Sequence, residues 1–191
     1  MSERDFYLFA GITGAGKSTL FSTVPEDIKN TFRINTDEVV KKFGNWRNEI
    51  DQIKAAKIAV KLRKGYIEKG VSFNEETTLT GKTILNLIDR LRDKNYKLHL
   101  FYVGVDSVEI AKERIRSRVL KGGHDIPDEV VEKRYTESLQ NLSKVLNKFD
   151  NVVIYDNTKK YRMILKIVNK KIIKKSQNLP KWAENIIKNN Y

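Results

Sequence analysis

The chain has 191 residues, 40% of them apolar and 32% charged, with a formal net charge of +13. This length supports one domain with a core of its own. No apolar run approaches the roughly 18 residues of a membrane span, and the absence of cysteine excludes disulfides and thiolate metal sites. The N-terminus MSERDFYLFAG has neither the basic start nor the apolar block of a signal peptide. A cytoplasmic protein with no membrane partner is therefore expected.

The first apolar run, Phe6–Ala10, reads as a strand, and an amphipathic run over 17–23 reads as a helix. Between them stands Gly11-Ile12-Thr13-Gly14-Ala15-Gly16-Lys17-Ser18, a complete Walker A motif. Its spacing follows from its chemistry. Small residues let successive backbone N–H groups turn inward onto phosphate oxygens. Lys17 reaches the β- and γ-phosphates, Ser18 offers a hydroxyl to Mg²⁺, and the helix aims its positive end at the anion. Gly11, Thr13, Gly14, Ala15, Gly16, Lys17, Ser18 and Thr19 are thus the expected nucleotide contacts, with ATP, or GTP in its place, as the ligand.

Candidate strands follow at 31–35 and 71–74, with helices near 38–43, 48–69 and 80–93. Acids stand where those strands end: Asp37 in FRINTDEVV, and Glu75 and Glu76 in VSFNEETTLTG. In open α/β sheets ligands bind at the carboxyl ends of the strands. An acid there can take a proton from an acceptor hydroxyl or help to hold Mg²⁺, and Asp37 fits either role. Acids also suit the first turn of a helix, so each admits a capping role. No strand ends in a single Asp followed by Glu, which favours a kinase over a motor ATPase. Ile50, Ile53, Ile58, Val60 and Leu62 are expected to pack the long helix beside the acceptor pocket.

A strand at 97–103 precedes a helix over 107–120, in which Val108, Ala111, Ile115 and Val119 form a stripe at helical spacing. Arg114 and Arg118 share a neighbouring face and Arg116 points elsewhere. Gly122-Gly123 breaks the helix, and Pro127 opens another that runs to about 148. Helix, glycine loop and helix with arginines on both sides is the build of a closing lid over about 114–127. Such arginines neutralise charge on a transferring phosphoryl group. A strand at 151–155 comes next. The tail holds two short strands or one helix, then a last helix with Pro180 at its first turn. The alternation of strands and helices implies an α/β fold: a three-layer P-loop NTPase or kinase fold with a mostly parallel sheet flanked by helices.

Nine basic residues and no acidic ones lie between Asn157 and Ala183, so the stretch from about 159 to the end is a basic extension. It reads either as a polyanion-binding face or as a solvated lysine surface. Lysine outnumbers arginine there, and bidentate phosphate or base recognition prefers arginine; nucleic acid is the less favoured partner.

GITGAGKST, INTDEV, FNEETTLTG, RIRSRVLKGGHDIPDEVVEKRYTESLQNL and YDNT, in this order, resemble the zeta toxin family and especially its compact bacterial branch. The similarity spans roughly 5–158. It implies a P-loop kinase fold and transfer of the γ-phosphate of ATP to a sugar hydroxyl of UDP-N-acetylglucosamine. On this sequence Asp37 resembles the general base, and Glu76, followed by Thr77 and Thr78, resembles an acid near the substrate sugar. Lys17 and Ser18 keep their nucleotide roles. One of Arg114, Arg116 and Arg118 resembles a lid arginine, with Arg118 given the catalytic place. The larger toxins tend to carry a second arginine before the lid proline. Here His124 stands three residues before Pro127, so either His124 or Arg134 of the next helix takes that phosphate contact. The resemblance also implies an antitoxin protein as partner.

Overall fold

The computed structural model describes residues 4–45, 48–123 and 125–191. Among them, seven strands form one sheet in the order β2-β3-β1-β4-β5-β6-β7. β1 (Asp5–Ala10) lies between β3 (Phe73–Thr77) and β4 (Lys97–Gly104), with β2 (Phe32–Ile34) outside β3 and β5 (Asn151–Asp156) outside β4. All five are parallel, as helical crossovers between successive strands require. β6 (Arg162–Val168) and β7 (Lys171–Lys175) then run antiparallel to their neighbours.

The central parallel strands β1 and β4 have no exposed residue on either face, which is why they read as near-continuous apolar runs. On one face Phe6, Leu8, Leu98, Leu100 and Tyr102 pack under α5 (Lys82–Asp93), α7 (Asp128–Val145) and α8 (Lys181–Asn190). On the other, Phe9, Ile12, Val103 and Val105 pack under α1 (Lys17–Thr23) and α6 (Val108–Leu120). The α/β fold expected from the strand and helix alternation is thus present, and no helix among the described residues is long and apolar enough to cross a membrane.

Three details differ from expectation or resolve it. β3 begins and ends later than 71–74, so Glu75 and Glu76 lie within the strand and not after it. The tail is a β6–β7 hairpin, joined by Asn169 (φ 47°) and Lys170 (φ 63°); two successive positive φ values are the signature of a turn whose twist matches that of the strands. α4 (Glu49–Lys69) is not packed by the row expected: Ile50, Ile53, Ile58 and Val60 are exposed, while Ala55, Ala59 and Ile67 are buried and Leu62 is partly so. The first half of α4 meets the body of the protein through alanines, so its isoleucines face outward. Two short helices, α2 (Glu26–Lys29) and α3 (Thr36–Lys41), flank β2.

Candidate active site

The loop between β1 and α1 is shaped by three glycines with positive φ: Gly11 at 140°, Gly14 at 84° and Gly16 at 107°. Each also has a neighbour where a side chain would be. A Cβ on Gly14 would stand 2.7 Å from the Ala111 carbonyl oxygen, one on Gly16 would stand 2.7 Å from Nδ2 of Asn157, and one on Gly11 would collide with the carbonyl of Val103. The loop is therefore backed by the end of β4, by α6 and by the segment after β5. Asn157 donates from Nδ2 to the carbonyl of Ala15 at 2.9 Å.

Lys17 opens α1 and its Nζ donates to the carbonyl of Ile12 at 3.2 Å. Burial pulls its pKa below the usual lysine range; the carboxylates of Glu76 and Asp37 act against that, and the guanidinium groups of Arg118 and Arg134 act with it. Two acids from β3 and α3 and two arginines from α6 and α7 are thus close enough to this half-buried lysine to act on its charge.

Glu76, near the end of β3, accepts from Nη2 of Arg33 at 2.9 Å and from Nδ2 of Asn35 at 3.1 Å. Arg33 also donates to Glu38 (3.1 Å) and to Oδ1 of Asn74 (3.2 Å), and its guanidinium lies 3.6 Å from the centre of the Phe21 ring on α1. Glu75 points to the opposite face of the strand, as period-two alternation requires. It is buried against Arg63 of α4, which donates from Nε at 3.0 Å and from Nη2 at 2.5 Å. Burial pushes the Glu75 carboxyl up and the Arg63 fork holds it down.

Asp37 sits in the first turn of α3, but the capping side chain is Asn35, whose Oδ1 accepts from the backbone N–H of Asp37 (3.0 Å) and Glu38 (3.4 Å). The Asp37 carboxylate is therefore not consumed by the cap, and the residue is exposed. Thr77 and Thr78 are engaged in the turn after β3. Thr77 Oγ1 accepts from the N–H of Leu79 at 3.1 Å, and the Thr78 and Thr80 hydroxyls share a hydrogen bond of 2.8 Å. Leu79 holds a φ of 59° there, and α7 secures the turn: Asn141 donates to the carbonyl of Leu79 at 3.1 Å and Glu137 accepts from the N–H of Gly81 at 2.8 Å.

The three arginines of α6 separate by role. Arg114 donates to the carbonyls of Asn157 (2.7 Å), Thr158 (3.4 Å) and Gly14 (3.4 Å), bracing the glycine loop from behind. Arg116 points outward and pairs with Asp128 of α7 at 2.9 Å. Arg118 is the one of the three that acts on Lys17, and Gly123 folds over its stem so closely that a Cβ there would stand 2.6 Å from Cγ of Arg118. Ser18 and Thr19 are exposed at the mouth of the loop, Thr13 is half-buried and Ala15 is buried. His124 lies outside the described residues.

Sequence reading missed Arg33, Asn35, Asn157 and Asp156. Asn35 and Asn157 stand inside INTDEV and YDNT, yet nothing in their spacing assigns them a partner. Asp156 is buried and accepts from Nε1 of Trp182 (3.2 Å), Nε of Arg162 (3.1 Å) and the hydroxyl of Thr158 (2.5 Å), fixing the segment that backs the glycine loop.

A sequence model of the zeta toxin family matches residues 2–167. An "uncharacterized protein" of Haemophilus influenzae is 31% identical over 127 residues, 66% of this chain and 89% of its own. The crystal structure of AvrRxo1-ORF1:AvrRxo1-ORF2 with sulphate ions superposes with a TM-score of 0.73 at 14% identity, over 98% of this chain and 64% of that one. The same pair crystallised with ATP gives 0.72. This chain thus spans less than two thirds of the length of those structural relatives. The PezAT chromosomal toxin-antitoxin system of Streptococcus pneumoniae gives 0.63 at 17% identity, over 100% of this chain and 79% of that one. The chain belongs to the zeta toxin family, as its motifs suggested, and carries that family's P-loop kinase fold.

Proposed function

We propose that this protein is an ATP-dependent kinase, its whole chain acting as one catalytic domain, that transfers the γ-phosphate to a hydroxyl of a nucleotide sugar such as UDP-N-acetylglucosamine. The observation that carries the reading is the glycine loop at the carboxyl end of β1, shaped by the positive φ of Gly11, Gly14 and Gly16, with Asp37, Glu76, Arg118 and Arg134 near enough to the half-buried Lys17 to act on its charge. Three cations and two carboxylates about one point suit a polyanion entering from one side and a hydroxyl acceptor from the other.

The residues fit a nucleoside triphosphate. The glycine loop is a cradle that Cβ atoms would fill, and the half-buried Lys17 ammonium is a charge that a phosphate would compensate. Ser18 at the first turn of α1 would hold Mg²⁺, with Asp37 the second candidate; when bound, the ion supplies neutralisation of the β- and γ-oxygens. Among the described residues no group of three or more His, Asp or Glu could hold a metal by itself, and Mg²⁺ shared with substrate phosphates needs none. ATP is favoured as donor; GTP fits the same phosphate cradle.

In the transfer, the acceptor hydroxyl oxygen attacks the γ-phosphorus. The bond to the β,γ-bridging oxygen breaks, ADP leaves and the hydroxyl proton passes to Asp37. Lys17 and Arg118 balance the charge on the transferring group, and Arg134 stands beside them. Glu76 is pre-aligned by Arg33 and Asn35 to accept a hydrogen bond from the acceptor. An antitoxin partner belongs to the same reading, by family.

The test is an acceptor screen with γ-labelled ATP and Mg²⁺. UDP-N-acetylglucosamine, other nucleotide sugars, nucleosides and a 5′-hydroxyl oligonucleotide are offered separately to the wild type and to Asp37→Asn. Label moving to a UDP-sugar with the wild type alone supports the proposal. Label moving only to a nucleoside or an oligonucleotide replaces the acceptor, and transfer by Asp37→Asn at the wild-type rate removes the assigned base.

A further inference from the structure

At the end of the sheet opposite the glycine loop, a cavity of about 490 Å³ opens between the end of α5, the start of β4, the approach to β5 and the β6–β7 turn. Its lining brings together Arg92, Lys97, Lys148 and Lys170, with Asp150 as the one carboxylate among the described lining residues. The phosphate loop follows the last residue of β1 and the cavity precedes the first residue of β4, so the length of the sheet, roughly 20 Å at about 3.3 Å per residue, separates them. None of these cations is within the site described above.

The walls of this cavity are held by backbone geometry. Three of the four non-glycine residues with positive φ among the described residues line it: Asn95 at the end of α5, and Asn169 and Lys170 in the hairpin turn. That turn is pinned to β5, with the N–H of Asn169 donating to Oδ1 of Asn151 and the N–H of Lys170 to the carbonyl of Asp150, both at 2.9 Å. The Asp150 carboxylate accepts from the N–H of Leu98 at 2.8 Å, and Lys148 reaches Asp89 at 2.5 Å. The remaining balance of the lining is positive.

The positive charge continues out of the cavity along the hairpin. Lys166 and Lys174 are directly paired in register, Lys171 and Lys175 stand on the edge strand, and every residue of β7 is exposed. Five residues of strand extend about 16 Å, a length that several phosphates of one chain would follow and a single small anion would not. Lysines dominate, and as flexible point charges they recognise phosphate without reading bases.

We infer that this cavity and the adjoining hairpin bind the phosphate backbone of a nucleic-acid strand, without sequence preference, at a site separate from phosphoryl transfer. It holds or rejects nucleic acid whatever the acceptor of the kinase site proves to be.

The experiment is a fluorescence-anisotropy titration of a labelled 20-nucleotide single strand at several salt concentrations. Wild type is compared with R92Q/K170N and with K57Q/K61Q, whose two exposed lysines lie on α4. Both doubles change the net charge equally, and asparagine suits the positive φ of position 170. The expected result is wild-type binding with a steep salt dependence. R92Q/K170N should bind at least about tenfold more weakly, with a log–log salt slope smaller by about two. K57Q/K61Q should stay within about twofold of wild type, and ATP binding should be unchanged in both. Equal weakening by the two doubles overturns the site in favour of diffuse charge. So does absence of binding by the wild type, full displacement by inorganic pyrophosphate at matched phosphate concentration, or binding to phosphatidylserine vesicles in place of the oligonucleotide. Should R92Q/K170N melt early, lysine acetylation of the wild type decides. Protection of Lys148 and Lys170 by the oligonucleotide with Lys57 and Lys61 still reactive upholds the site, and the converse overturns it.

Discussion

Arg33 and Glu76 form an ion pair of 2.9 Å, and the same guanidinium lies against the Phe21 ring of the helix that follows the phosphate loop. One side chain thus joins the acid proposed for the acceptor to the element proposed for the donor. Both partners are largely screened from water, with side-chain exposures of 17% and 11%.

Removing that link should separate acceptor handling from nucleotide binding. Arg33→Met leaves Glu76 with Asn35 alone, while the glycine loop keeps its own supports. The expected cost is about 2 kcal/mol of stability, the scale of a lost charge-assisted hydrogen bond. Transfer to the acceptor should fall by about 10- to 100-fold, chiefly through a raised KM, and the Kd for ATP should move by less than about threefold. Steady-state kinetics with calorimetric ATP titration reads both. Equal losses in ATP and acceptor binding would mean that Arg33 supports the fold and not the acceptor side.

The loop itself offers a graded pair of variants. Gly14→Ala asks for a side chain at a φ of 84° and 2.7 Å from the Ala111 carbonyl oxygen, so the loop has to shift and ATP affinity should drop by about 100-fold or more. Asn157→Ala removes only the brace on Ala15, and a loss of about three- to tenfold is expected, one hydrogen bond's worth. Calorimetry orders the two. An Asn157→Ala protein as defective as Gly14→Ala would place Asn157 in direct contact with nucleotide.

These cases show what the sequence carries and what it does not. The glycine loop is legible because only particular residues tolerate positive φ and close backbone approach. β1, β4 and β5 are legible because their residues are mostly apolar, as a parallel strand covered by helices favours, and their observed bounds differ by one residue from those expected. β3 reads too early because the acids of FNEET look like a strand end; it continues as a strand since the buried Asn74 and Glu75 find Thr31 and Arg63 as partners. Such partners lie 43 and 12 residues away, and no local pattern announces them. The three arginines of α6 illustrate the same limit: spacing places them on a helix, while which carbonyl, carboxylate or lysine each one meets depends on the neighbours of that helix in space. On α4 periodicity is present, but the face that finds the sheet is lined by alanine.

The Glu75–Arg63 pair predicts a stability effect apart from function. Its side chains are 7% and 14% exposed. Arg63→Met leaves a buried carboxylate without its counter-charge, a loss of about 3–5 kcal/mol. Arg63→Met combined with Glu75→Gln should recover most of it, since the residual buried charge is gone. Urea unfolding of the two proteins makes the comparison. A double variant no better than the single would show that packing of the Arg63 stem, and not the charge, is what matters.

His99 gives the fold a dependence on pH. Its Nε2 donates to Oδ1 of Asp5 at 2.7 Å, and its Nδ1 accepts from Nδ2 of Asn151 at 3.0 Å. The Asn151 amide cannot turn round without loss, because its Oδ1 accepts the N–H of Asn169. The neutral ring with its proton on Nε2 therefore fits, and a second proton on Nδ1 would face the amide N–H₂. Burial is the largest influence and pulls the pKa below 6.5; Asp5 and Asp150 oppose it and Lys97 adds to it. With the folded pKa below the unfolded one, the unfolded chain binds more protons in the window between them. Stability is thus full above pH of about 6.5 and falls as pH drops through that window, at no more than about 1.4 kcal/mol per pH unit for one group. Unfolding free energies from pH 7.5 to 5 should show this fall in the wild type and a flatter profile in His99→Gln. Asn151→Asp presents a carboxylate oxygen to Nδ1, so the His99 pKa should rise and the fall should shrink or reverse. An unchanged slope in both variants would assign the acid sensitivity to carboxylates elsewhere.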